Sequence, residues 1–398
     1  MTWLDLSPDS LFGLANLPYG VFSARRRPDP GIGVRIGDSM LDLTRALADA
    51  VFAEPSLNAF MAQGRGRWSE VRAQVSEMLT AERHRSAIEA ALYPLSGVRL
   101  HMPFTPGDYA DFFGNEYHAA NAGRIFRPGA EPLSPNWKHL PVGYHGRSGT
   151  IVLSGTPVTR PRGQRKEPQD SAPAFGPSRR LDFEAEVGWV IGTGSPLGTP
   201  VTVGEFADHV FGAFLLNDWS SRDLQSWESQ PLGPFLAKSF ATSISPWIVP
   251  LDALEHARIS PPPRDPEPLP YLADAGKWGL DLALEVRLNG HLVSRPPFAT
   301  MYWTPAQMLA HLTVNGASTR TGDLYASGTV SGPNRDQRGC LLELSWGGAE
   351  PVTLADGSVR AFLEDADEVT ITATAPGGGG ARIGFGEVTG QILPATAS

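Results

Sequence analysis

Glycine and proline are spread along the whole chain, and this distribution most restricts how the chain can fold. There are 43 glycines and 36 prolines, and they lie between short apolar runs rather than in separate linkers. Both residue types interrupt regular structure and favour turns. Short strands joined by turns are typical of such a pattern, so we predict a mainly β fold with a minor helical part.

The length of 398 residues predicts two domains of unequal size. Residues 17–46 contain short strand-like pieces, and residues 66–93 carry apolar side chains at the helical spacing of three or four. The proline-containing stretch 94–106 has the character of a connector. We therefore predict a boundary near residue 103, which divides the chain into domains 1–103 and 104–398.

In the second domain, apolar and alternating runs predict strands at 148–153, 181–192, 211–217, 281–288, 341–346 and 367–374. Thr304, Pro305 and Gln307 have the order of an N-cap, a first helical proline and a capping box, which predicts a helix ending near Asn315. A second helix is expected after Asp218. Long surface excursions are expected at the proline-rich or charged stretches 161–180 and 256–278.

Composition limits the classes of partner. Apolar residues make up 41% of the chain and charged residues 19%, which suits a large core. The formal net charge of -9 disfavours nucleic-acid binding. Cys340 is the only cysteine, so an intramolecular disulfide is excluded and a reducing compartment fits. We find no signal-peptide pattern and no apolar run near the roughly 20 residues that span a bilayer, so we predict a cytoplasmic protein without a membrane partner.

Carboxylates recur in a strictly alternating stretch at residues 181–189. In a strand, Asp182, Glu184 and Glu186 share one face, and neighbours on that face lie roughly 6–7 Å apart. Two long carboxylates at that spacing can converge on one cation. The alternative interpretation is an antiparallel strand with one side facing solvent.

Two aspartates extend this pattern. Asp218 ends the near-continuous apolar run 211–216, where it either presents a ligand or caps the helix that follows. Asp111 lies in the stretch GDYADFF at residues 107–113. If these two meet Glu184 and Glu186, four carboxylates need a hard divalent cation to relieve their repulsion. An oxygen-only ligand set favours calcium, magnesium or manganese over zinc or copper.

A series of segments between residues 103 and 394 resembles the fumarylacetoacetase family in content and order. The segments are DYADFF (108–113), HAAN (118–121), RIFR (124–127), PNWKHLPVGYHGR (135–147), SGTP (154–157), NDWSSRD (217–223), PLGPFLAKSF (231–240), ASGTVSGP (326–333), LELSW (342–346) and RIGFG (382–386). The first hundred residues resemble the family only in length and patterning.

The resemblance implies a small N-terminal SH3-like barrel, a larger C-terminal β-roll-type domain and a homodimer. It also implies hydrolysis of 4-fumarylacetoacetate to fumarate and acetoacetate, in the breakdown of tyrosine and phenylalanine. Three alternatives stay open at this point. They are an acylpyruvate-type hydrolase acting on another 1,3-diketo acid, a related lyase (decarboxylase or hydratase), and a non-catalytic scaffold that the metal stabilises.

The resemblance also implies roles for individual residues. The metal positions, usually described with calcium, are Asp111, Glu184, Glu186 and Asp218, and those near a second, magnesium site are Asp218, Lys238 and Thr242. His118 matches the general base and Glu343 its partner carboxylate. The substrate contacts are Arg127, Gln225 and Thr329, with Tyr144, Arg222 and Lys238 completing the pocket.

These roles are chemically reasonable, but each has an ordinary alternative. Histidine side chains titrate near neutral pH and serve as bases, and a carboxylate partner fixes the tautomer. Arg222 and Gln225 are three residues apart, so they share a helix face and can reach one oxyanion. Without the resemblance, Glu343 could equally be a strand residue that faces solvent. The helix face that carries Arg222 and Gln225 could be solvated, and Arg127 could be an ordinary surface arginine.

The sequence departs from the family at two substrate positions. Phe113 and Ser229 stand where the family typically has tyrosines. Phenylalanine keeps the ring without the hydroxyl donor, and serine keeps a hydroxyl with a shorter reach. Tyr117 is a candidate to restore one hydroxyl near the pocket. We therefore predict that the metal and base chemistry is retained and that the acyl pocket has fewer donors.

Overall fold

Strands make up 31% of the computed structural model and helices 26%. It describes residues 2–7, 9–273 and 276–397. The helical residues are divided among short segments, whereas the strands assemble into three sheets of five or more strands. The prediction of a mainly β fold is confirmed. No helix among the described residues has the length and apolar character needed to cross a membrane.

The N-terminal part contains a five-stranded antiparallel sheet, as the SH3-like barrel of the resemblance leads one to expect. In sheet order its strands are Leu92–Pro94, Ser39–Asp42, Arg27–Ile36, Tyr19–Ala24 and Val98–His101. Its helices are Leu43–Leu47, Asn58–Met61, Arg65–Met78 and Arg85–Ala91. The helical pattern over 66–93 thus corresponds to two helices. The boundary near residue 103 stays a prediction.

The central element is an eight-stranded mixed sheet. In order, its strands are Gly143–His145, Tyr109–Phe112, Leu324–Ala326, Ala185–Ile191, Val210–Asp218, Thr242–Ile244 and Ile151–Leu153, with Val249–Pro250 paired to Val210–Asp218. Two neighbouring pairs are parallel and the others antiparallel.

A second five-stranded sheet and four two-stranded sheets complete the C-terminal part. The larger sheet contains His291–Ser294, Ala283–Leu288, Glu368–Pro376, Arg382–Leu393 and Val158–Thr159. The pairs are Arg162–Arg165 with Ala174–Pro177, Leu181–Asp182 with Ser220–Ser221, Arg258–Ile259 with Gly279–Leu280, and Val352–Thr353 with Val359–Arg360.

The remaining elements are short helices. The α-helices are Glu116–Phe126, Phe206–His209, Arg222–Glu228, Pro305–Thr313 and Leu341–Leu344. The 3₁₀ segments are Ala50–Ala53, Glu82–His84, Leu95–Gly97, Ser148–Thr150, Val203–Glu205, Leu251–Ala257, Pro270–Leu272, Phe298–Thr300, Arg335–Gln337, Trp346–Gly348 and Gly378–Gly380.

Both faces of strand Val210–Asp218 are covered, which explains its continuous apolar run. Ala213 and Leu215 join the core of the C-terminal part, while Phe214 and Leu216 join the core shared with the N-terminal sheet. Successive strand residues point to opposite faces, so a strand buried on both sides has no polar face. The prediction of a buried strand over 211–217 is confirmed.

Some local predictions hold and others are wrong. The helix at Pro305–Thr313 has the Thr304 cap and the capping box with Gln307. The strand predicted at 341–346 is instead helix Leu341–Leu344, because its leucines are buried on every side and their alternation marks no exposed face. The excursion at 161–180 contains a two-stranded hairpin. Residues 274 and 275 of the other predicted excursion lie outside the described residues.

Candidate active site

Four carboxylates converge at the central sheet. Asp111, Glu186 and Asp218 each lie on one of its strands, and Glu184 immediately precedes one. All four are at most 4% exposed. One oxygen from each lies within 4.8 Å of the others. Calcium binds oxygen ligands at about 2.3–2.6 Å, so two oxygens on opposite sides of one calcium ion lie about twice that distance apart. The spacing within the cluster therefore suits a single ion of this size.

The strand predicted over 181–192 is interrupted just before this cluster. The backbone N–H groups of Phe183 and Glu184 donate to the side chains of Asp182 and Asn217, at 2.9 and 3.1 Å. Asp182, just before the interruption, is not one of the four clustered carboxylates. Neither side of this stretch faces solvent, because residues 181–191 are all buried. The alternative of a solvent-facing strand is wrong.

The cluster has more negative charge than its neighbours neutralise. Lys238 Nζ lies 2.5 Å from Glu184 Oε2 and 2.8 Å from Asp218 Oδ2, and Arg222 NH1 lies 2.7 Å from Glu184 Oε1. These two cations face four carboxylates. Asp111 Oδ1 and both oxygens of Glu186 are buried without a hydrogen-bond partner among the described residues. Oxygen-only donors with unused lone pairs and excess negative charge fit a divalent cation.

Burial and mutual repulsion act on the protonation of these groups. Burial and the charge of Asp218 raise the pKa of Asp111 well above its ordinary value, and burial and Asp111 do the same for Glu186. Burial would raise the pKa of Glu184 as well, but Lys238 and Arg222 outweigh it and hold that pKa well below its usual range. In the metal-free protein, Glu184 is therefore ionised while Asp111 and Glu186 retain protons at higher pH.

A histidine–glutamate pair lies beside the cluster. His118, on helix Glu116–Phe126, has its Nδ1 atom 2.6 Å from Glu343 Oε2. Burial would raise the pKa of Glu343, but the charge and hydrogen bond of His118 lower it overall. An ionised Glu343 accepts the Nδ1–H, which leaves Nε2 as the basic nitrogen. Nε2 lies 3.9 Å from Glu184 Oε1, so the base adjoins the carboxylates.

These groups share a cavity of about 740 Å³. The predicted site residues that line it are Asp111, Phe113, His118, Arg127, Tyr144, Glu184, Arg222, Gln225, Ser229, Lys238 and Thr329. The other four predicted residues do not line the cavity. Glu343 contacts the lining residue His118 and Asp218 contacts the lining residue Lys238, while Thr242 contacts Asp218. Glu186 belongs to the carboxylate cluster. The structure thus brings the predicted residues together around one space.

Two family models match the chain. The one described as Fumarylacetoacetase N-terminal matches residues 15–103, and the one described as Fumarylacetoacetate (FAA) hydrolase C-terminal matches residues 109–393. The chain belongs to the fumarylacetoacetate hydrolase family. It is a hydrolase, and its buried acidic cluster is suited to a divalent metal.

Relatives in this family extend along almost the whole chain. The fumarylacetoacetase of Bos taurus is 45% identical over 416 residues, covering 99% of each chain. That of Arabidopsis thaliana is 45% identical over 415 residues, covering 99% of this chain and 98% of its own. A solved fumarylacetoacetate hydrolase from Exiguobacterium antarcticum covers 95% of this chain and 99% of its own, with a TM-score of 0.57 and 18% identity. At that identity it supports the fold alone.

Phe113 and Ser229, the two positions where the family typically has tyrosines, both line the cavity. The Phe113 ring packs edge-on against His118, with centroids 5.2 Å apart. Ser229 follows helix Arg222–Glu228, and its hydroxyl donates back to the Gln225 carbonyl oxygen. That bond leaves it poorly placed to donate into the cavity. Tyr117 is 40% exposed and does not line the cavity, so the suggestion that it restores a hydroxyl there is not supported.

The other predicted substrate contacts differ in whether their polar atoms already have hydrogen-bond partners within the protein. Arg127 is exposed at the cavity rim, and its NH2 donates to the Pro132 carbonyl oxygen. Thr329 is buried, and its hydroxyl has no partner among the described residues. It follows Gly328, whose φ of +74° and contact with the Phe112 carbonyl oxygen leave no room for a Cβ. Tyr144 donates to Asp218 Oδ2 at 3.0 Å.

The residues that orient Glu343 were missed as site residues in the sequence. Asn121 Nδ2 donates to its Oε1 at 2.9 Å, and Ser331 Oγ and Cys340 Sγ approach its Oε2 at 2.7 and 3.2 Å. Asn121 lies three residues after His118 on the same helix, a spacing that could have indicated it. Ser331 and Cys340 gave no comparable signal, because they reach Glu343 through the tertiary fold.

Proposed function

We propose that the protein hydrolyses the carbon–carbon bond of 4-fumarylacetoacetate, giving fumarate and acetoacetate in the breakdown of tyrosine and phenylalanine. The observation that carries this proposal is the His118–Glu343 pair beside four buried carboxylates at one cavity. Cleavage of a 1,3-diketone by water needs a base and an electrophilic site for the diketone oxygens. Relatives named fumarylacetoacetase support this substrate over another acylpyruvate and over lyase chemistry.

We assign the principal metal site to Asp111, Glu184, Glu186 and Asp218, with calcium as the proposed ion and manganese as an alternative. A second, magnesium site is proposed at Asp218, near Lys238 and Thr242. Its support is the proximity of Lys238 Nζ and Thr242 Oγ1 to Asp218, at 2.8 and 3.4 Å. When bound, a divalent cation polarises the diketone oxygens and favours the departing enolate.

His118 and Glu343 are proposed to activate water. Nε2 of His118 takes a proton as the water oxygen bonds to the carbonyl carbon of the fumaryl part. Glu343 stabilises the resulting imidazolium through its 2.6 Å contact with Nδ1. The carbon–carbon bond then breaks, and its electron pair leaves with the acetoacetate carbon. That carbon takes up the proton held by His118, so water is fully divided between the two products.

The cationic side chains are proposed to bind negative charge. Arg222 NH2 is buried without a hydrogen-bond partner among the described residues, and Gln225 lies beside it, with Oε1 3.1 Å from Arg222 NH1. With Lys238 they supply donors to the oxyanion that forms on the attacked carbonyl. Arg127, Thr329 and Tyr144 are proposed to contact the substrate carboxylates and oxygens, and Phe113 and Ser229 to shape the acyl end.

A panel of 1,3-diketo acids tests this proposal. Loss of enol absorbance is followed with and without a chelator, and fumarylacetoacetate is expected to be cleaved fastest, in a chelator-sensitive reaction. His118→Ala should abolish cleavage but bind the cation with unchanged affinity in a calorimetric titration. Faster cleavage of another acylpyruvate would move the assignment to that substrate. Retained turnover by His118→Ala would refute its role as the base.

Two broader properties complete the proposal. A homodimer is supported by the exposed apolar side chains Leu232, Phe235 and Leu236 in the loop beside the cavity, and light scattering after dilution measures it directly. A cytoplasmic location suits a protein whose single cysteine is buried and unpaired. Cell fractionation tests that location.

A further inference from the structure

Asp182 is a buried carboxylate outside the four-carboxylate cluster. It is 0% exposed. The backbone N–H groups of Leu341 and Leu342 donate to its oxygens at 2.7 and 2.9 Å, and Arg222 Nε donates at 2.9 Å. The N–H of Phe183 is a fourth donor. Because its oxygens are occupied by protein donors, Asp182 is suited to hold other groups in place rather than to bind a ligand.

The first set of contacts concerns the helix that carries Glu343. Leu341 and Leu342 begin helix Leu341–Leu344, whose N-cap residue Cys340 makes no side-chain capping bond. The first N–H groups of a helix need an external acceptor, and Asp182 supplies it from a strand about 160 residues earlier. The position of Glu343 against His118 therefore depends on Asp182.

The second contact concerns Arg222. Asp182 binds its Nε, while Glu184 and Gln225 accept from NH1. The guanidinium group is planar, so fixing two nitrogens also fixes the direction of NH2. That nitrogen is buried without a partner among the described residues, on a side chain that lines the cavity. Because an unpaired buried donor is unfavourable, the arrangement keeps NH2 available for a ligand.

The geometry points to Asp182 as a positioning residue. It holds the oxyanion donor Arg222 in place, and it fixes the helix from which Glu343 contacts the base His118. This inference rests on the proposed function, because it assigns Asp182 a part in that reaction. One carboxylate joins the two halves of the catalytic apparatus, which approach the substrate from different parts of the chain. Asp182 acts through these groups and does not itself touch the substrate.

The variant Asp182→Asn tests the inference, since it keeps the shape and removes the charge. In the cation-loaded protein, we expect kcat to fall by about 10–100-fold, with KM and cation affinity changed by less than about threefold. Asp42→Asn is the matched control. Asp42 is also buried, caps helix Leu43–Leu47 and binds Arg27 Nε at 3.1 Å, so this variant should lower the melting temperature and leave kcat unchanged.

Double variants separate positioning from general stability. Asp182→Asn should cost less in an Arg222→Ala or Glu343→Gln background than in the parent. The same loss of kcat in every background, or a parental kcat in Asp182→Asn, would overturn the inference. If Asp182→Asn does not fold, Asp182→Ser replaces it. If neither Asp182 variant folds while Asp42→Asn does, Asp182 is needed for folding alone and the inference is overturned. A parent that cleaves no diketo acid refutes the proposed function, whereas an active parent with an equally active Asp182→Asn refutes this inference only.

Discussion

Replacement of Glu343 by glutamine removes one negative charge beside His118 and keeps nearly the same shape. Glu343 Oε2 lies 2.6 Å from His118 Nδ1, and both side chains are buried. When His118 takes a proton from water, an imidazolium and a carboxylate face each other. Two unit charges about 4 Å apart interact by about 4 kcal/mol at an effective dielectric constant of about 20.

Most of this energy belongs to the transition state, because a general base takes up its proton only as water attacks, and the imidazolium then faces the carboxylate. A loss of about 4 kcal/mol corresponds to a decrease in kcat of about 10³-fold. Glu343 is not one of the four clustered carboxylates, so cation affinity should stay at the parental value. KM should also change little, because Glu343 does not line the cavity.

The assay follows the loss of enol absorbance at saturating substrate, with cation content measured by calorimetric titration. Asp367→Asn serves as the control, because Asp367 is another buried carboxylate, paired with Arg360 at 2.9 Å. It should lose stability and retain kcat. A Glu343→Gln variant with kcat within about threefold of the parent and normal cation binding would refute the reasoning.

Other changes have equally direct outcomes. Glu186→Gln should weaken cation binding by about 10²-fold in a calorimetric titration; unchanged affinity would remove Glu186 from the ligand set. Burial and neighbouring carboxylates raise the pKa of Asp111 and Glu186, so these two groups hold more protons in the folded metal-free protein than in the unfolded chain. Their contribution to the stability of the metal-free protein therefore falls as pH rises above about 4. The gap in melting temperature between cation-loaded and chelator-treated protein should widen; a constant gap contradicts this. Ser331→Ala removes a 2.7 Å hydrogen bond to Glu343 and should lower kcat by roughly tenfold, and an unchanged kcat would exclude Ser331 from orienting Glu343.

The carboxylate cluster could largely be predicted from the sequence because two local patterns describe it. Alternation places Glu184 and Glu186 on one side of a strand, and the apolar run before Asp218 marks a buried strand end. The structure agrees on both points. Asp218 does not cap the following helix, whose N-cap is Ser221. It accepts instead from Lys238 and Tyr144.

The meeting of Tyr144 with Asp218 could not be predicted in this way. Tyr144 lies on the edge strand Gly143–His145, and three other strands separate it from the strand that ends at Asp218. The 3.0 Å hydrogen bond between these side chains therefore requires the sheet to curl. Curvature arises from packing over the whole sheet, and no short sequence pattern encodes it.

The interruption in the strand predicted at 181–192 and the wrong strand prediction at 341–346 both involve Asp182. The interruption at Phe183 involves a hydrogen bond from its N–H to Asp182, and the unexpected helix Leu341–Leu344 begins with two N–H groups bound to the same carboxylate. Local alternation suggests a strand in both places, and each time Asp182 offers the backbone a side-chain acceptor in place of a neighbouring strand. One of these bonds is local, but the others join residues about 160 positions apart. Sequence patterns therefore predict least about a buried carboxylate whose oxygens are all bonded and which lies outside the cluster, although Asp182 contacts both Arg222 and the start of the helix that carries Glu343.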